Sequence, residues 1–318
     1  MKPKFIPEQV LFSLTTKCNL ACKHCTVKPG SDTINLKTAS KFLRQCTEYE
    51  IIKVGFTGGE PFLALRELLA LTRTARKYDM EFDRITTNGV WWHTSDELTH
   101  ELTELHTAGY DGTFGLSCDR FHRQDIRKLA KFITGCNRVW ERIDQVSLVF
   151  IEDKVKALQT KTYKKLRALA RVLHAKMEYH REMPVVIRAD NLLLRISSIP
   201  LFPINNKKVL LSTPWDAKKW FHEDYCAGPG NIFFVTPTGD VYPCCGYATD
   251  FCNDLRLGNV QRDTPGKLAR NAHTNKFVNT VFTQGLTSIK NKLVREGVIF
   301  PGKTYNHCFF CYYARTYC

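Results

Sequence analysis

Residues 17–25 read KCNLACKHC and place Cys18, Cys22 and Cys25 in one short stretch. An apolar β-type segment, VLFSL, comes just before them, so the three thiols begin a loop at the end of a predicted strand. Structural zinc sites use four nitrogen or sulfur ligands, usually as paired C-x2-C units. The C-x3-C-x2-C spacing instead suits three corners of a cubane [4Fe–4S] cluster with one iron left open. A zinc site completed by His24 is the alternative.

Beyond this loop, apolar segments alternate with amphipathic helical segments over the first two hundred residues. The predicted strands lie near 10–14, 52–58, 82–89, 112–119 and 145–153, and the predicted helices near 36–48, 64–77, 95–108, 123–135 and 154–176. Five strand–helix repeats predict a parallel sheet with helices outside it. The apolar segment 183–205 predicts one last strand.

The remaining segment has a different pattern. NIFFVTPTGDVYPCC at 231–245 predicts a β-hairpin with its turn at PTGD, and a helical stretch near 264–295 and a cysteine-bearing tail follow. We therefore expect two units, residues 1–210 and residues 211–318.

Composition limits the function classes. The 318-residue chain is 43% hydrophobic, and it carries no run of 18 apolar residues and no secretory signal pattern. We expect a soluble cytoplasmic protein without membrane association. Thirteen cysteines, an odd number in a long chain, favour metal ligation over a disulfide framework. The net charge of +15 suits anionic partners, although we expect no nucleic-acid partner.

Three further motifs follow the cysteine loop in order: TGGEP at 57–61, TTNG at 86–89 and LSCD at 116–119. Each ends a predicted strand, at the edge where parallel α/β folds place their sites. With the cysteine loop, these motifs resemble the radical S-adenosylmethionine (radical SAM) enzymes. The resemblance implies an α/β fold, a partial (β/α)6 TIM-like barrel. It also implies a [4Fe–4S] cluster whose open iron binds SAM and supplies an electron that cleaves it to a 5′-deoxyadenosyl radical.

The same resemblance assigns candidate SAM-binding residues. Gly58 and Gly59 let the backbone approach a ligand closely, and Glu60 can accept a charge-assisted hydrogen bond from the methionine ammonium group. Asn88 and Ser117 are short donor–acceptor groups at strand ends. His24 either stacks on adenine or is a solvated loop histidine.

A second set of cysteines lies near the C-terminus. Cys226, Cys244, Cys308 and Cys311 provide four thiols and no free corner, which suits a zinc ribbon-like site or a fully ligated cluster. In this context they resemble the twitch domain, a shortened relative of the SPASM domain, here a small hairpin plus helix. The resemblance implies one auxiliary [4Fe–4S] cluster, and two clusters in all. The roles of Cys252 and Cys318 stay open.

Cys245 directly follows a presumed ligand and is left over. It is either a buried spare thiol or a hydrogen-atom donor. The segment GDVYPCC, with LSCDRFH at 116–122, resembles radical SAM peptide epimerases of the epipeptide type, in which the second cysteine quenches a Cα radical from the opposite face. Those enzymes have an aspartate shortly after the first auxiliary cysteine, where this chain has only Asn231 nearby.

The leading hypothesis is therefore a radical SAM enzyme that epimerises L to D residues in a ribosomally made precursor peptide, supplied with electrons by a reductant such as flavodoxin or ferredoxin. One alternative is oxidative thioether or carbon–carbon crosslinking of a peptide, or dehydrogenation of a small molecule, with the auxiliary cluster accepting an electron. Another is a zinc- or cluster-bearing nucleic-acid-binding protein. The predicted basic helix is either a solvated face or a dock for an acidic leader segment, through Lys161, Lys164, Lys165 and Arg171.

Overall fold

The computed structural model describes residues 5, 7–152, 160–180, 183–205, 208–209, 214–222, 231–244 and 252–317. Three residues singled out from the sequence, Cys226, Cys245 and Cys318, lie outside these ranges.

Strands and helices alternate through the first half of the chain. The strands are β1 (Gln9–Ser13), β2 (Lys53–Thr57), β3 (Glu81–Thr87), β4 (Thr113–Ser117), β5 (Val146–Glu152), β6 (Lys176–His180), β7 (Met183–Ala189), β8 (Leu192–Pro200), β9 (Ile204–Asn205), β10 (Lys208–Val209), β11 (Ile232–Val235), β12 (Asp240–Tyr242) and β13 (Gly258–Asn259). The α-helices are α1 (Leu36–Glu48), α2 (Leu65–Lys77), α3 (Ser95–Thr107), α4 (Ile126–Trp140), α5 (Lys161–Val172), α6 (Pro265–Thr274), α7 (Lys276–Arg295) and α8 (His307–Ala314). Short 3-10 helices cover Pro61–Ala64, Asn253–Leu255 and Arg315–Tyr317.

One long sheet organises these elements. Within the described ranges its strand order is β13-β12-β11-β1-β2-β3-β4-β5-β8-β7-β6. Strands β1 to β5 pair in parallel with their neighbours in chain order, and β8 pairs in parallel with β5. These six parallel strands, with helices between the first five, confirm the predicted α/β fold of the partial TIM-like type.

The two faces of the parallel strands have different side chains. Phe12, Phe56 and Phe114 point to the outer face and are fully buried under the helices. The alternate positions in the same strands, such as Ser13 and Thr57, line a cavity on the inner face. This alternation gives the sheet an apolar side that binds the helices and a side of mixed polarity that lines a cavity.

The C-terminal hairpin extends this sheet. Strand β11 pairs in parallel with β1, and β12 pairs antiparallel with β11, with Phe234 opposite Tyr242. The hairpin predicted from the PTGD turn is thus present, and side chains such as Phe234 and Tyr242 join the lining of the inner cavity.

Two predictions of local structure are wrong. The single last strand is in fact two antiparallel strands, β7 and β8, because Asp190 and Asn191 form a two-residue turn between Ala189 and Leu192. Residues 154–159 of the predicted helix near 154–176 lie outside the described ranges; the described part is α5, which ends at Val172 and is followed by His174, with a φ of 51°, and then by β6. A left-handed residue ends a helix, and the sequence pattern does not reveal it.

No helix among the described residues is both long enough and apolar enough to span a bilayer.

A buried tyrosine supports the strands that carry the site. The Tyr110 hydroxyl accepts a hydrogen bond from the backbone N–H of Ile85 in β3 (3.0 Å) and donates one to the carbonyl of Thr113 in β4 (2.6 Å). We predict that Tyr110→Phe lowers the free energy of unfolding by about 1–3 kcal/mol, because it leaves buried backbone groups unpaired. Urea unfolding measures this change. Tyr78→Phe, whose hydroxyl makes no hydrogen bond among the described residues, is the control and should change stability by less than about 0.5 kcal/mol; equal effects would contradict the bridging role.

Candidate active site

The carboxyl ends of four neighbouring strands meet at one edge of the sheet. They enclose a cavity of about 290 Å³, called here the cysteine cavity. Its lining includes Cys18, Cys22, His24, Cys25, Gly58, Gly59, Asn88 and Ser117. All three predicted cluster ligands and five of the six predicted SAM-binding residues are therefore brought together; the sixth, Glu60, lies behind the wall.

The three thiols of the loop interact with one another. Burial, then the neighbouring thiols of Cys25 and Cys18, raise the pKa of Cys22 to about 12. Burial also raises the pKa of Cys18. Desolvation and the neighbouring thiols favour the neutral, protonated form of these cysteines. Binding of a metal stabilises the thiolate form instead. The donor set therefore fits an iron–sulfur cluster, with three sulfur ligands facing one cavity.

The cysteine loop lies unusually close to the loop after β2. Gly59 donates its N–H to the carbonyl of Thr15 (2.7 Å), and Glu60 donates its N–H to the carbonyl of Lys17 (2.8 Å). A Cβ atom on Gly59 would lie 2.1 Å from the Lys17 carbonyl oxygen, and one on Gly58 would lie 2.8 Å from that of Thr15. Only glycine permits this pairing, which holds the start of the cysteine loop in register with the end of β2.

Glu60 is fully buried behind the cavity. Its carboxylate accepts hydrogen bonds from the Thr87 hydroxyl (2.8 Å), the Asn88 N–H (2.8 Å) and the Phe62 N–H (3.3 Å). Burial, opposed by these hydrogen bonds, raises the pKa of Glu60 to about 7. The predicted contact with an ammonium group stays a prediction, and the geometry adds a second role, which is to fix the end of β3 against the end of β2.

Asn88 connects three of the loops. Its side-chain amide donates to Oδ1 of Asn19 in the cysteine loop (2.8 Å), while its own backbone carbonyl accepts from Nε2 of Gln124 (2.7 Å). The same Gln124 nitrogen also donates to the carbonyl of Ser117 (2.7 Å). Sequence reasoning missed Asn19 and Gln124. Asn19 lies between two predicted ligands in the cysteine motif, so its polar side chain could have been predicted from the sequence to belong to the site. No motif near Gln124 in the sequence indicates its role.

Behind His24 lies a cluster of polar groups. Ligand atoms of His24, Asp119 and His122 lie within 4.8 Å of one another, and the His24 ring packs against Phe121 with centroids 4.7 Å apart. His24 thus clusters with the segment after β4, which does not favour its completing a zinc site with the cysteines. Burial lowers the pKa of His24 to about 4, so its ring is neutral near pH 7.

Asp119 anchors the segment that follows β4. Its carboxylate accepts hydrogen bonds from Nδ1 of His122 (2.8 Å) and from the N–H of Phe121 (2.9 Å) on one oxygen, and from the N–H of Ile151 (3.2 Å) on the other. Burial acts to raise the pKa of Asp119, but hydrogen bonding and attraction from His122 outweigh it and lower the pKa to about 2. Asp119 is therefore ionised at any physiological pH.

The basic helix contributes one residue to this site. The Lys165 ammonium group donates to the carbonyl of Asp119 (3.0 Å), and it also bonds the His122 carbonyl and the Gln124 side chain. Placing Lys165 on a leader-docking or solvated face was wrong, because its side chain turns inward to these carbonyls. Lys161, Lys164 and Arg171 are exposed, as either interpretation requires.

The C-terminal thiols lie in the region of β12 and α8. Cys308 and Cys311 lie three residues apart on α8, and they and Cys244, two residues after β12, are half-buried. Cys252, whose role the sequence left open, is fully buried and close enough to Cys244 for the two thiols to interact electrostatically. Burial raises the pKa of Cys252 to about 12. Cys252 is thus a fourth described thiol in this region, which spacing alone did not assign.

The glycine contact gives a direct test. We predict that Gly59→Ala weakens metal retention by the cysteine loop by about 10–100-fold, the usual effect of disturbing the support of metal ligands. Iron and sulfide content after anaerobic reconstitution measures it. Gly266→Ala, where the added Cβ lies 3.2 Å or more from its neighbours, is the matched control. Full iron content in Gly59→Ala would show that the close approach is dispensable.

Glu60 predicts a pH effect on stability. Its pKa in the folded protein, about 7, lies above the ordinary value of 4.5, so the folded state holds the proton more tightly than the unfolded chain. This contribution is complete below pH 4.5 and is lost as the pH rises through 7, a loss on the order of 3 kcal/mol. We predict that unfolding of the cluster-free protein by urea shows this decline between about pH 5 and 8, and that Glu60→Gln shows less of it. Parallel pH profiles for the two proteins would contradict the assignment.

Comparisons with known proteins agree with this geometry. A family model described as a 4Fe-4S single cluster domain matches residues 9–130, and the SPASM model, described as an iron-sulfur cluster-binding domain, matches residues 226–292. The first match contains the cysteine loop and the three strand-end motifs. The second contains Cys226, Cys244 and Cys252.

Curated relatives include two kinds of protein. A probable GTP 3',8-cyclase of Methanopyrus kandleri is 30% identical over 164 residues, and the match covers 48% of this chain and 50% of that protein. The chain therefore spans about half the length of that relative. The putative peptide biosynthesis protein YydG of Bacillus subtilis is 23% identical over 254 residues, covering 75% of this chain and 69% of that protein.

Solved structures share the fold. A histidine-tagged form of anSMEcpe with bound AdoMet superposes with a TM-score of 0.55 at 17% identity, covering 91% of this chain and 84% of that one. Native anSMEcpe with bound AdoMet and the Cp18Cys peptide gives a TM-score of 0.53 at 16% identity, covering 98% and 94%. With the cysteine loop, the strand-end motifs and the two family matches, this likeness leads to one conclusion: the chain belongs to the radical SAM enzymes that carry a SPASM-type domain, and its cofactors are SAM and two [4Fe–4S] clusters.

Proposed function

We propose that this enzyme modifies a ribosomally made peptide by inverting the Cα of selected residues from L to D, with Cys245 as the hydrogen-atom donor. The observation that carries the peptide part is a cavity of about 850 Å³ on the inner face of the barrel, called here the chamber. It adjoins the cysteine cavity, and the two share the walls formed by Thr16, Val27, Pro29, Thr57, Gly58 and Thr86. A substrate in the chamber would thus lie next to bound SAM.

The chamber suits an extended peptide. Its walls come from β1, β3 and the C-terminal hairpin, and they combine apolar groups such as Leu11 and Phe234 with hydroxyl groups. Pockets of this size can enclose a ligand of several residues. The relationship to a putative peptide biosynthesis protein over 75% of the chain also supports a peptide substrate.

In this proposal the chain's own residues bind and orient. Cys18, Cys22 and Cys25 would hold the cluster, and the backbone of Gly58 and Gly59 would form the adjacent wall of the SAM site. The chemistry that a bound cluster and SAM would supply there is a 5′-deoxyadenosyl radical able to take a hydrogen atom from the substrate. The ends of β3 and β4, fixed by Glu60 and Gln124, keep Asn88 and Ser117 turned toward the cofactor.

Cys245 completes the inversion in the proposal. Its S–H bond breaks and a C–H bond forms on the opposite face of the Cα radical, which leaves a thiyl radical on the cysteine. One electron from the external reductant and one proton from water restore the thiol. The residue's mass is unchanged, while one SAM is consumed as methionine and 5′-deoxyadenosine. The support for this step is the position of Cys245 in the sequence, three residues after Tyr242, which lines the chamber.

The nucleotide cyclase relatives raise a second candidate, a nucleoside triphosphate substrate. The charged groups of the chamber do not favour it. Asp32, Asp83 and Asp240 line the chamber against only two cations, Lys28 and Arg84, among the residues that the structure describes. A triphosphate, with about four negative charges, needs an excess of cations in its site. The oxidative alternative, crosslinking of a peptide, keeps the same chamber and is separated from epimerisation by product mass.

We predict that reaction in deuterated water places one deuterium at the Cα of each modified residue, with no mass change in ordinary water. The reason is that the thiol hydrogen exchanges with solvent before it is transferred. The experiment uses the reconstituted enzyme, SAM, a reductant and a precursor peptide encoded beside the gene, with product analysis by mass spectrometry and chiral amino-acid analysis. Loss of two hydrogens would instead identify the oxidative reaction, and no 5′-deoxyadenosine would overturn the radical chemistry.

Cys245→Ala isolates the donor. We predict that this variant still forms 5′-deoxyadenosine but yields no D residue, because nothing quenches the Cα radical from the opposite face. Cys136→Ala is the matched control, since Cys136 is fully buried on α4 and does not line either cavity. It should retain epimerisation. Normal D-residue formation by Cys245→Ala would remove Cys245 from the mechanism and leave the rest of the proposal intact.

A further inference from the structure

An irregularity in β3 changes what the inner face of the barrel presents. Val54 of β2 pairs with Phe82, but Phe56 pairs with Ile85, so the single residue Gly55 lies opposite two residues of β3, Asp83 and Arg84. This two-against-one arrangement is a β-bulge, a feature that redirects side chains next to functional sites.

The bulge turns two charged side chains into the barrel. Phe82 and Ile85 on either side of it pack in the outer core. Asp83 and Arg84, the two residues between them, both line the chamber. In a regular strand, neighbouring residues would point to opposite faces, and one of these charges would be forced among the helices.

The two charges then diverge. Oδ2 of Asp83 accepts a hydrogen bond from Nε2 of Gln9 on β1 (2.9 Å). This bridge crosses Gly55, where a Cβ would lie 2.8 Å from the Gln9 nitrogen. The chamber's carboxylate at Asp83 is thus already occupied by a partner from the chain. At Asp240, Oδ1 similarly accepts hydrogen bonds from Arg256 and Asn259 (both 2.8 Å).

Arg84 extends the other way, toward β4. Its register partner there is Thr113, but its side chain lies over Gly115, two residues closer to the cysteine cavity. A Cβ on Gly115 would lie 3.2 Å from Cδ and 3.7 Å from Nε of Arg84. Because Gly115 has no side chain, the arginine side chain can lie directly over the β4 backbone. The next inward residue along β4, Ser117, lines the cysteine cavity.

The guanidinium of Arg84 makes no hydrogen bond or ion pair within the residues that the structure describes. An arginine that the fold carries into a chamber by a bulge, and supports on a glycine, is arranged to receive a ligand from outside the chain. Guanidinium binds carboxylate through two parallel hydrogen bonds, which gives direction as well as attraction.

We propose that Arg84 is a specificity-determining residue that binds a carboxylate group of the substrate in the chamber. This inference rests on the proposed function, in which a peptide occupies the chamber. The carboxylate is either the side chain of an acidic residue near the modified position or the C-terminus of the peptide. Arg84 acts by positioning the substrate and takes no part in the radical chemistry.

Charge exchange tests the proposal. The probes are synthetic twelve-residue glycine- and valine-rich peptides with Glu, Gln or Lys at the centre, each with a free or an amidated C-terminus. Their dissociation constants are measured anaerobically by calorimetry on the reconstituted enzyme with SAM, at peptide concentrations up to about 1 mM. We expect the wild type to bind a carboxylate-bearing peptide roughly tenfold more tightly than its neutral counterpart, as one charge-assisted hydrogen-bonded pair provides. If amidation of the C-terminus is by itself enough to abolish this preference, the carboxylate that Arg84 binds is the C-terminus of the peptide.

The variants are Arg84→Glu and, as the matched control, Lys41→Glu. Lys41 is an exposed cation on α1 outside the barrel, and its reversal changes the net charge by the same amount. We expect Arg84→Glu to reverse the order, so that the Lys peptide binds more tightly than the Glu peptide, while Lys41→Glu keeps the wild-type order. A reversed order cannot come from misfolding, which weakens binding of every peptide.

Several outcomes overturn the proposal. Equal binding of charged and neutral peptides by the wild type, or an unchanged order in Arg84→Glu, removes Arg84 as the specificity residue but leaves peptide modification in place. A reversal in both variants attributes the effect to general charge and also overturns it. Absence of binding by every peptide overturns the proposal together with the peptide part of the proposed function.

Discussion

The close contact between the cysteine loop and the loop after β2 is the constraint on which the site depends. Two backbone hydrogen bonds join Gly59 to Thr15 and Glu60 to Lys17, and no side chain fits between the two segments. A loop that must present three cysteines in one direction has many other conformations available, and each ordered residue loses conformational entropy. Pairing the loop to the end of a buried strand restricts these alternatives before any metal binds.

The rest of the site continues the same arrangement along the sheet edge. Buried Glu60 joins β2 to β3, Asn88 joins β3 to the cysteine loop, and Gln124 joins β3 to β4. Lys165 on α5 then binds the carbonyls of the segment after β4. Each connection satisfies a polar group that the loops would otherwise bury unpaired, so the network supports the fold and orients the cofactor site together.

Two cavities with a common wall lie along this sheet. The cysteine cavity lies at the carboxyl edge, where loops supply sulfur and backbone groups. The chamber lies on the inner face of the strands, where glycines at 55 and 115 leave room and the β3 bulge introduces charge. In the proposed function, cofactor chemistry takes place at the edge and substrate selection on the inner face, and such a fold can accept different substrates by changing a few inward residues.

Much of this protein was predictable from local patterns. The strand–helix alternation predicted a parallel sheet with outer helices, and the cysteine spacing predicted the cluster loop, because each depends on neighbours within a few positions. The resemblance to radical SAM enzymes, carried by the strand-end motifs, implied the barrel and the residues around the cysteine cavity. The hairpin of 231–245 was also predictable, from its PTGD turn. Tertiary structure alone decided that this hairpin pairs with β1, that Lys165 turns inward, and that Cys252 lies near Cys244. It also decided that Asp83 and Arg84 share one face of β3, since a bulge is set by the register between two strands and residue periodicity carries no record of it. These features depend on contacts between residues far apart in the chain, and such contacts exist only once the sheet has formed.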